Sequence, residues 1–189
     1  MLPHRRFAAR EVALTGLVLL VVGCSDTTGL PAPFLSNTVD TVSLYALRGT
    51  ALTLPSAYTL TGALAVRTDL TTALDFAFDF DSLNAPALYP TGAINLGQLS
   101  GLQRSTTPFA ALKLAPTGGY IFDKPITVDT GTIVLVRSRP TQCTFGVTLA
   151  LYAKLRVLAV DTTARRLDFE ILVDQNCGYR GLEPGLPTQ

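Results

Sequence analysis

The chain has 189 residues, 15 basic and 14 acidic side chains and a net charge of +1 at pH 7. No run of like charge occurs in it, so it carries no electrostatic footprint for nucleic acid. Its only histidine is His4, and it has no tryptophan. Past residue 4, therefore, general acid–base catalysis by histidine, Ser-His-Asp and Cys-His arrangements, and histidine ligation of zinc, copper or haem are all excluded.

Arg5, Arg6 and Arg10 form a basic stretch ahead of an apolar run from Val12 to Val22, interrupted only by Thr15 and Gly16. This is the pattern of an export signal. As a helix the run covers about 16 Å, against a hydrocarbon core of about 30 Å, which disfavours a permanent transmembrane helix. The run ends in Val21-Val22-Gly23-Cys24. These four residues resemble the lipobox of bacterial lipoproteins, in which apolar residues precede Gly or Ala and then an obligatory Cys.

The resemblance covers the first 24 residues. It implies cleavage between Gly23 and Cys24, diacylglycerol on the Cys24 sulfur, an acyl group on its new amino terminus, and attachment to a membrane through that lipid. The alternatives are a signal cut elsewhere, leaving Cys24 ordinary, or a buried helix of a cytosolic protein. Arg5-Arg6 touches the twin-arginine pattern, but Phe7-Ala8-Ala9 fits the rest of it poorly. In the sorting rule of some diderm lipoproteins, Asp directly after the lipidated Cys retains the protein at the inner membrane. Ser25 stands there, so the resemblance favours the outer membrane over the inner.

Removing residues 1–23 takes three of the 15 basic and one of the 14 acidic side chains, leaving 12 and 13, and takes Met1 and His4 as well. The remaining 166 of the 189 residues suffice for one domain with a real core. Residues 24–37 then form a lipid-anchored linker: Ser25 to Asn37 is rich in Ser, Thr, Gly and Pro without periodicity, and its thirteen residues reach roughly 40 Å.

From Thr38 onward the signals are those of β-strands. Val39 to Leu47 alternates loosely, Arg48-Gly49 turns, Ala51 to Leu54 is a short apolar run ended by Pro55, and Ala63 to Thr68 is a further short strand. Leu74 to Asp81 alternates strictly, with Leu74, Phe76, Phe78 and Phe80 on one face and Asp75, Ala77, Asp79 and Asp81 on the other, which predicts a strand with one wet face. Asn84 to Thr107, with Pro86, Pro90, Gly92, Gly97 and Gly101, reads as loops with short strands, and as a place for variation or binding.

Further on, Phe109 to Leu114 reads as a strand, Pro116 to Gly119 as a turn, and Tyr120 to Val128 as an edge or bulged strand because of Pro125. Thr132 to Val136 suits a central strand. Leu149, Leu151, Ala153, Leu155, Val157 and Ala159 alternate with polar residues, as do Leu167, Phe169, Ile171 and Val173. These are the arms of a hairpin around Asp161 to Arg165, and a five-residue loop sets Arg156 opposite Glu170. A helix over Val147 to Leu155 competes with the first arm.

Short strands between Gly, Pro, Asp and Thr clusters, with no long helical period between them, predict an all-β fold: a single β-sandwich over residues 38–180, or a barrel-like variant, followed by a C-terminal tail at 181–189. Without Trp the immunoglobulin hallmark is missing, so the architecture alone is implied. Once Cys24 is lipidated, Cys143 and Cys177 are the remaining cysteines, and in an oxidising compartment they are expected to pair. The alternatives are two buried free thiols or, less well, a metal site. In the hairpin register Cys177 faces about Leu149, so pairing requires residues 143–149 to fold back.

Asp75, Asp79 and Asp81 form the one carboxylate-rich stretch. Along a strand Asp79 and Asp81 lie about 6.7 Å apart and Asp75 about 13 Å from Asp79, so at most Asp79 and Asp81 could share a calcium ion. A solvated face that discourages edge pairing is the plainer reading. No cofactor is implied. Three functions remain: a lipid-anchored binding or accessory module of the cell envelope with an envelope protein as partner, a structural or assembly protein of the outer membrane, and a hydrolase built on an opposed carboxylate pair. The first is expected and an enzyme is not.

Overall fold

The structure, a computed structural model, describes residues 31–143 and 146–188. The apolar stretch, Gly23 and Cys24 lie outside the described residues. Among those described, no helix is long and apolar enough to cross a membrane.

Among the described residues, twelve strands build two five-stranded antiparallel sheets and a small hairpin. The first sheet contains β1 (Val39–Tyr45), β6 (Gly101–Ser105), β8 (Ile133–Arg137), β11 (Tyr152–Asp161) and β12 (Arg166–Asp174), in the order β1-β12-β11-β8-β6. The second contains β2 (Ala57–Thr59), β3 (Leu64–Val66), β4 (Phe76–Phe80), β5 (Pro86–Pro90) and β7 (Ile126–Thr127), in the order β3-β2-β4-β5-β7. β9 (Thr141–Gln142) and β10 (Thr148–Leu149) pair apart from both. Neither sheet closes into a barrel, and the fold is the expected all-β sandwich. The segment over Val147 to Leu155 is not a helix: it contains β10 and the start of β11. Thr132 to Val136 supplies a central strand, β8, between β11 and β6.

Alternation explains the core. Phe76, Phe78 and Phe80 project from the second sheet against Leu155, Val157, Phe169 and Ile171 of the first, all buried. Tyr58, Phe76 and Phe169 form an aromatic triad across the gap, with ring centroids 5.5 to 6.1 Å apart, a geometry that adds to plain area burial.

Arg156 does stand opposite Glu170, as the alternation predicts, but by a different route. The loop has four residues rather than five, because Asp161 pairs with Arg166. The Asp161 carboxylate tightens it by accepting the backbone N–H groups of Thr163 and Ala164, and Arg165 takes a left-handed conformation at φ 50°. A bulge between Val157 and Ala159 absorbs the difference. It also turns Ala159 out to solvent and Val160 in against the core, reversing the expected placement of Ala159.

The expectation of one wet face on Leu74 to Asp81 fails. All five residues of β4 are buried, and so is Asp75. Ala57 and Ala77, paired across β2 and β4, have side chains small enough for Leu47, Ile94 and Leu96 to close over them. Leu74, two residues before the regular pairing begins at Phe76, joins that outer cluster instead of the phenylalanine face.

The outer face of the first sheet is covered too. Phe109 to Leu114 is not a strand: Phe109–Ala111 is a turn of 3-10 helix, and the segment from there to Phe122 lies over Leu135, Tyr152 and Leu172. Lys154, at an outward position of β11, is buried beneath it, its Nζ donating to the carbonyls of Phe109 and Leu112 at 2.7 and 2.8 Å. Ala51 to Leu54 forms a turn rather than a strand, and of the Tyr120 to Val128 stretch Ile126–Thr127 forms an edge strand while Ile121 makes a single bridge to Leu102 of β6.

Candidate functional site: the end of the sandwich that receives the N-terminal segment

From Pro31 on, the linker expected through Asn37 is docked onto the sandwich, and so is the irregular tail expected from Gly181. Asn37 and Gly185 exchange backbone hydrogen bonds, and Leu114 bridges to Gly181. Leu182 is fully buried under the outer face of the first sheet. The sandwich therefore extends before residue 38 and beyond residue 180. The physical reason is that polar groups of the segment after β12 bind the backbone ahead of β1. Asn176 accepts the N–H groups of Phe34 and Leu35 at its Oδ1, both at 3.0 Å, and donates from Nδ2 to the Leu35 carbonyl at 2.8 Å. In this way one amide side chain imitates a backbone rung. Tyr179 adds a hydrogen bond from its hydroxyl to the Pro31 carbonyl at 3.1 Å.

Two residues along lies Asn37, whose backbone pairs with Gly185. Asn37 Nδ2 donates to the carbonyls of Gly181 and Glu183, which fixes the orientation of the amide. Its Oδ1 is buried without a partner, and so is Oδ2 of Asp174. The other Asp174 oxygen accepts from the backbone and side-chain amides of Asn176, both at 3.0 Å. Burial pushes the Asp174 carboxyl above the usual carboxylate range, and the bonds from Asn176, with a smaller contribution from the Gly181 backbone N–H, offset part of that.

Cys143 and Cys177 lie at this same end and are joined by a disulfide, with Cα atoms 5.9 Å apart. The described residues on either side of 144–145 do fold back on one another. Cys143 N–H donates to the Val147 carbonyl at 2.7 Å, and β9 and β10 close the small hairpin on either side. Leu149 consequently sits in β10, not opposite Cys177 in the large hairpin.

The aspartates of the phenylalanine strand serve three separate places. Asp75 spans the two sheets. Its Oδ1 accepts from the backbone N–H and Nε of Arg139 at 2.8 and 3.2 Å, and its Oδ2 accepts from Leu60 N–H at 2.7 Å and the Thr59 hydroxyl at 3.4 Å. Asp79 is held at the other end of β4 between Arg48 Nε, 2.6 Å from Oδ2, and Arg165, 3.4 Å from Oδ1. The Arg165 guanidinium also lies over the Phe80 ring, 4.4 Å from its centroid. Asp81 lies beyond the strand and caps the following turn through the N–H groups of Leu83 and Ala85. Asp79 and Asp81 thus do not converge on one point, and among the described residues no group of three or more His, Cys, Asp or Glu side chains converges either.

Asn37, Asp174, Asn176 and Tyr179 were not singled out by pattern. Nothing in alternation marks a contact between positions some 140 residues apart; the one local sign was a cluster of polar residues directly after a long strand. Compared with models of known protein families and with curated proteins, the chain matches none.

Proposed function

We propose that the protein is a lipoprotein of the bacterial cell envelope, anchored through lipid on Cys24 after cleavage behind Gly23, and that the sandwich is a binding or accessory module rather than an enzyme. The observation that carries the reading is the docking of Pro31 to Asn37 on the body of the domain. Only the stretch from Cys24 to Pro31 then separates lipid from domain, a reach of at most about 25 Å instead of the roughly 40 Å of a free linker. A lipid on Cys24 thus keeps the sandwich near one membrane surface, where a module meets partners in two dimensions.

The chemistry of the described side chains supports a binding role. The carboxylates that the sequence put forward are engaged by arginines and backbone amides, which suits structure better than proton transfer. Ser25 after the lipidated position favours the outer membrane, and an envelope protein is the natural partner. The test is metabolic labelling with palmitate in a bacterial host that lipidates exported proteins. The wild-type chain takes up label and sediments with membranes, and Cys24→Ala loses both. Equal labelling and sedimentation of the variant overturns the anchor.

A further inference from the structure

We propose that the end of the sandwich receiving the N-terminal segment rests directly on the lipid bilayer, with Phe34, Leu35, Leu114 and Leu186 reaching into its interfacial layer. This rests on the lipid anchor at Cys24 and adds an orientation to it. Phe34 is 76% exposed, Leu186 55%, Leu35 38% and Leu114 37%. They come from three segments that only the tertiary fold brings together, through the Asn37 to Gly185 and Leu114 to Gly181 bridges. Leu114, Pro184, Leu186 and Pro187 line one groove of about 450 Å³.

Scattered exposed apolar residues are ordinary, but several at one end of a domain call for an occupant. The occupant follows from where the chain leads. The described structure begins at Pro31, three residues before Phe34. At most about 25 Å of chain separates Pro31 from the lipidated residue, less than the roughly 33 Å length of the ten-residue β11. No other end of the domain is held so near the membrane. The two charges lining the groove, Lys113 and Glu183, pair with each other at 2.9 Å, so the surface meets the bilayer without a net charge to desolvate.

The opposite end provides a control. β1 carries the chain about 20 Å away from Asn37 before Arg48 bonds to Asp79 at the far end of β4, and Leu83, 86% exposed, lies in the turn that follows β4. With Cys24 lipidated and Cys143 bonded to Cys177, one introduced cysteine is a unique free thiol. The full chain carrying Phe34→Cys, Leu186→Cys or Leu83→Cys is labelled with an environment-sensitive fluorophore and reconstituted into vesicles of phosphatidylethanolamine and phosphatidylglycerol.

Blue-shifted emission, quenched by lipid spin-labelled near the headgroup, is expected at 34 and 186 and not at 83. A second variant, Phe34→Asp with Leu186→Asp, changes only exposed side chains, and it removes the shift from a probe at Leu114→Cys while the protein still floats with vesicles. Water-like emission at all three positions on floating vesicles overturns the docked orientation and leaves the anchor standing. A shift at 34 and 186 that needs added envelope extract assigns the surface to a protein and overturns the proposal as well. Loss of flotation together with loss of palmitate label overturns the anchor and the orientation with it.

Discussion

Asp174→Asn should stabilise the protein near neutral pH, and the gain should vanish in acid. In the native fold the carboxyl is fully buried, one oxygen holds the two amides of Asn176, and the other makes no hydrogen bond. An asparagine keeps the oxygen that serves Asn176 and places an NH2 group where the unpartnered oxygen stood. An orphaned buried acceptor costs about 1 to 3 kcal/mol, so a recovery of about 1 to 2 kcal/mol is reasonable, a rise in Tm of about 2 to 8 °C for a domain of this size.

The sign of the pH effect follows from the raised carboxyl pKa. The native state binds this proton more tightly than the unfolded chain, so the contribution is fully present below the unfolded value of about 3.9 and is lost as pH rises through the native pKa. Wild type is therefore penalised at neutral pH and relieved in acid, whereas the asparagine variant is not. Urea denaturation of both proteins across about pH 4 to 8 measures this as a difference between their free energies of unfolding. A variant no more stable than wild type at neutral pH, or an advantage that persists undiminished at about pH 4, refutes the reasoning.

Asp75→Ala removes the carboxylate that ties Arg139 to Leu60 across the two sheets and leaves a largely buried guanidinium unpaired; a loss of about 3 to 5 kcal/mol in denaturant unfolding is expected. Cys143→Ser with Cys177→Ser opens a loop of 34 residues' separation, and the chain-entropy estimate is about 3 to 4 kcal/mol, read as a lower melting temperature and, in the parent, as linked 143 and 177 peptides in non-reduced mass spectra. Millimolar calcium should leave the melting temperature within about a degree, since Asp79 and Asp81 face different partners and a ligand that does not bind adds no stability; a clear upward shift would restore the metal reading.

Much of the fold was legible because alternation is local. The phenylalanines of β4, the arms β11 and β12, and the pairing of Arg156 with Glu170 follow from side chains that must share a face. The misreadings of the outward faces have one cause. Alternation reports which residues differ, and a polar residue at an outward position reads as wet whether or not another segment covers it. Asp75, Asp79 and Lys154 look solvated in sequence, and each is buried because Arg139, Arg48 with Arg165, and the carbonyls of Phe109 and Leu112 come from distant stretches to meet them.

By itself the sequence determined the all-β character, the inward faces of the long strands, the absence of histidine chemistry past residue 4 and the pairing expected of Cys143 with Cys177, because each depends on composition or on a period of two. Only the tertiary structure decided which outer faces are covered, that the linker ends as an ordered rung on Asn176, and that Phe34, Leu114 and Leu186 gather at one end of the sandwich. Those outcomes depend on contacts between segments that alternation leaves independent, and they are fixed only when burial and hydrogen bonding are satisfied for the whole chain at once.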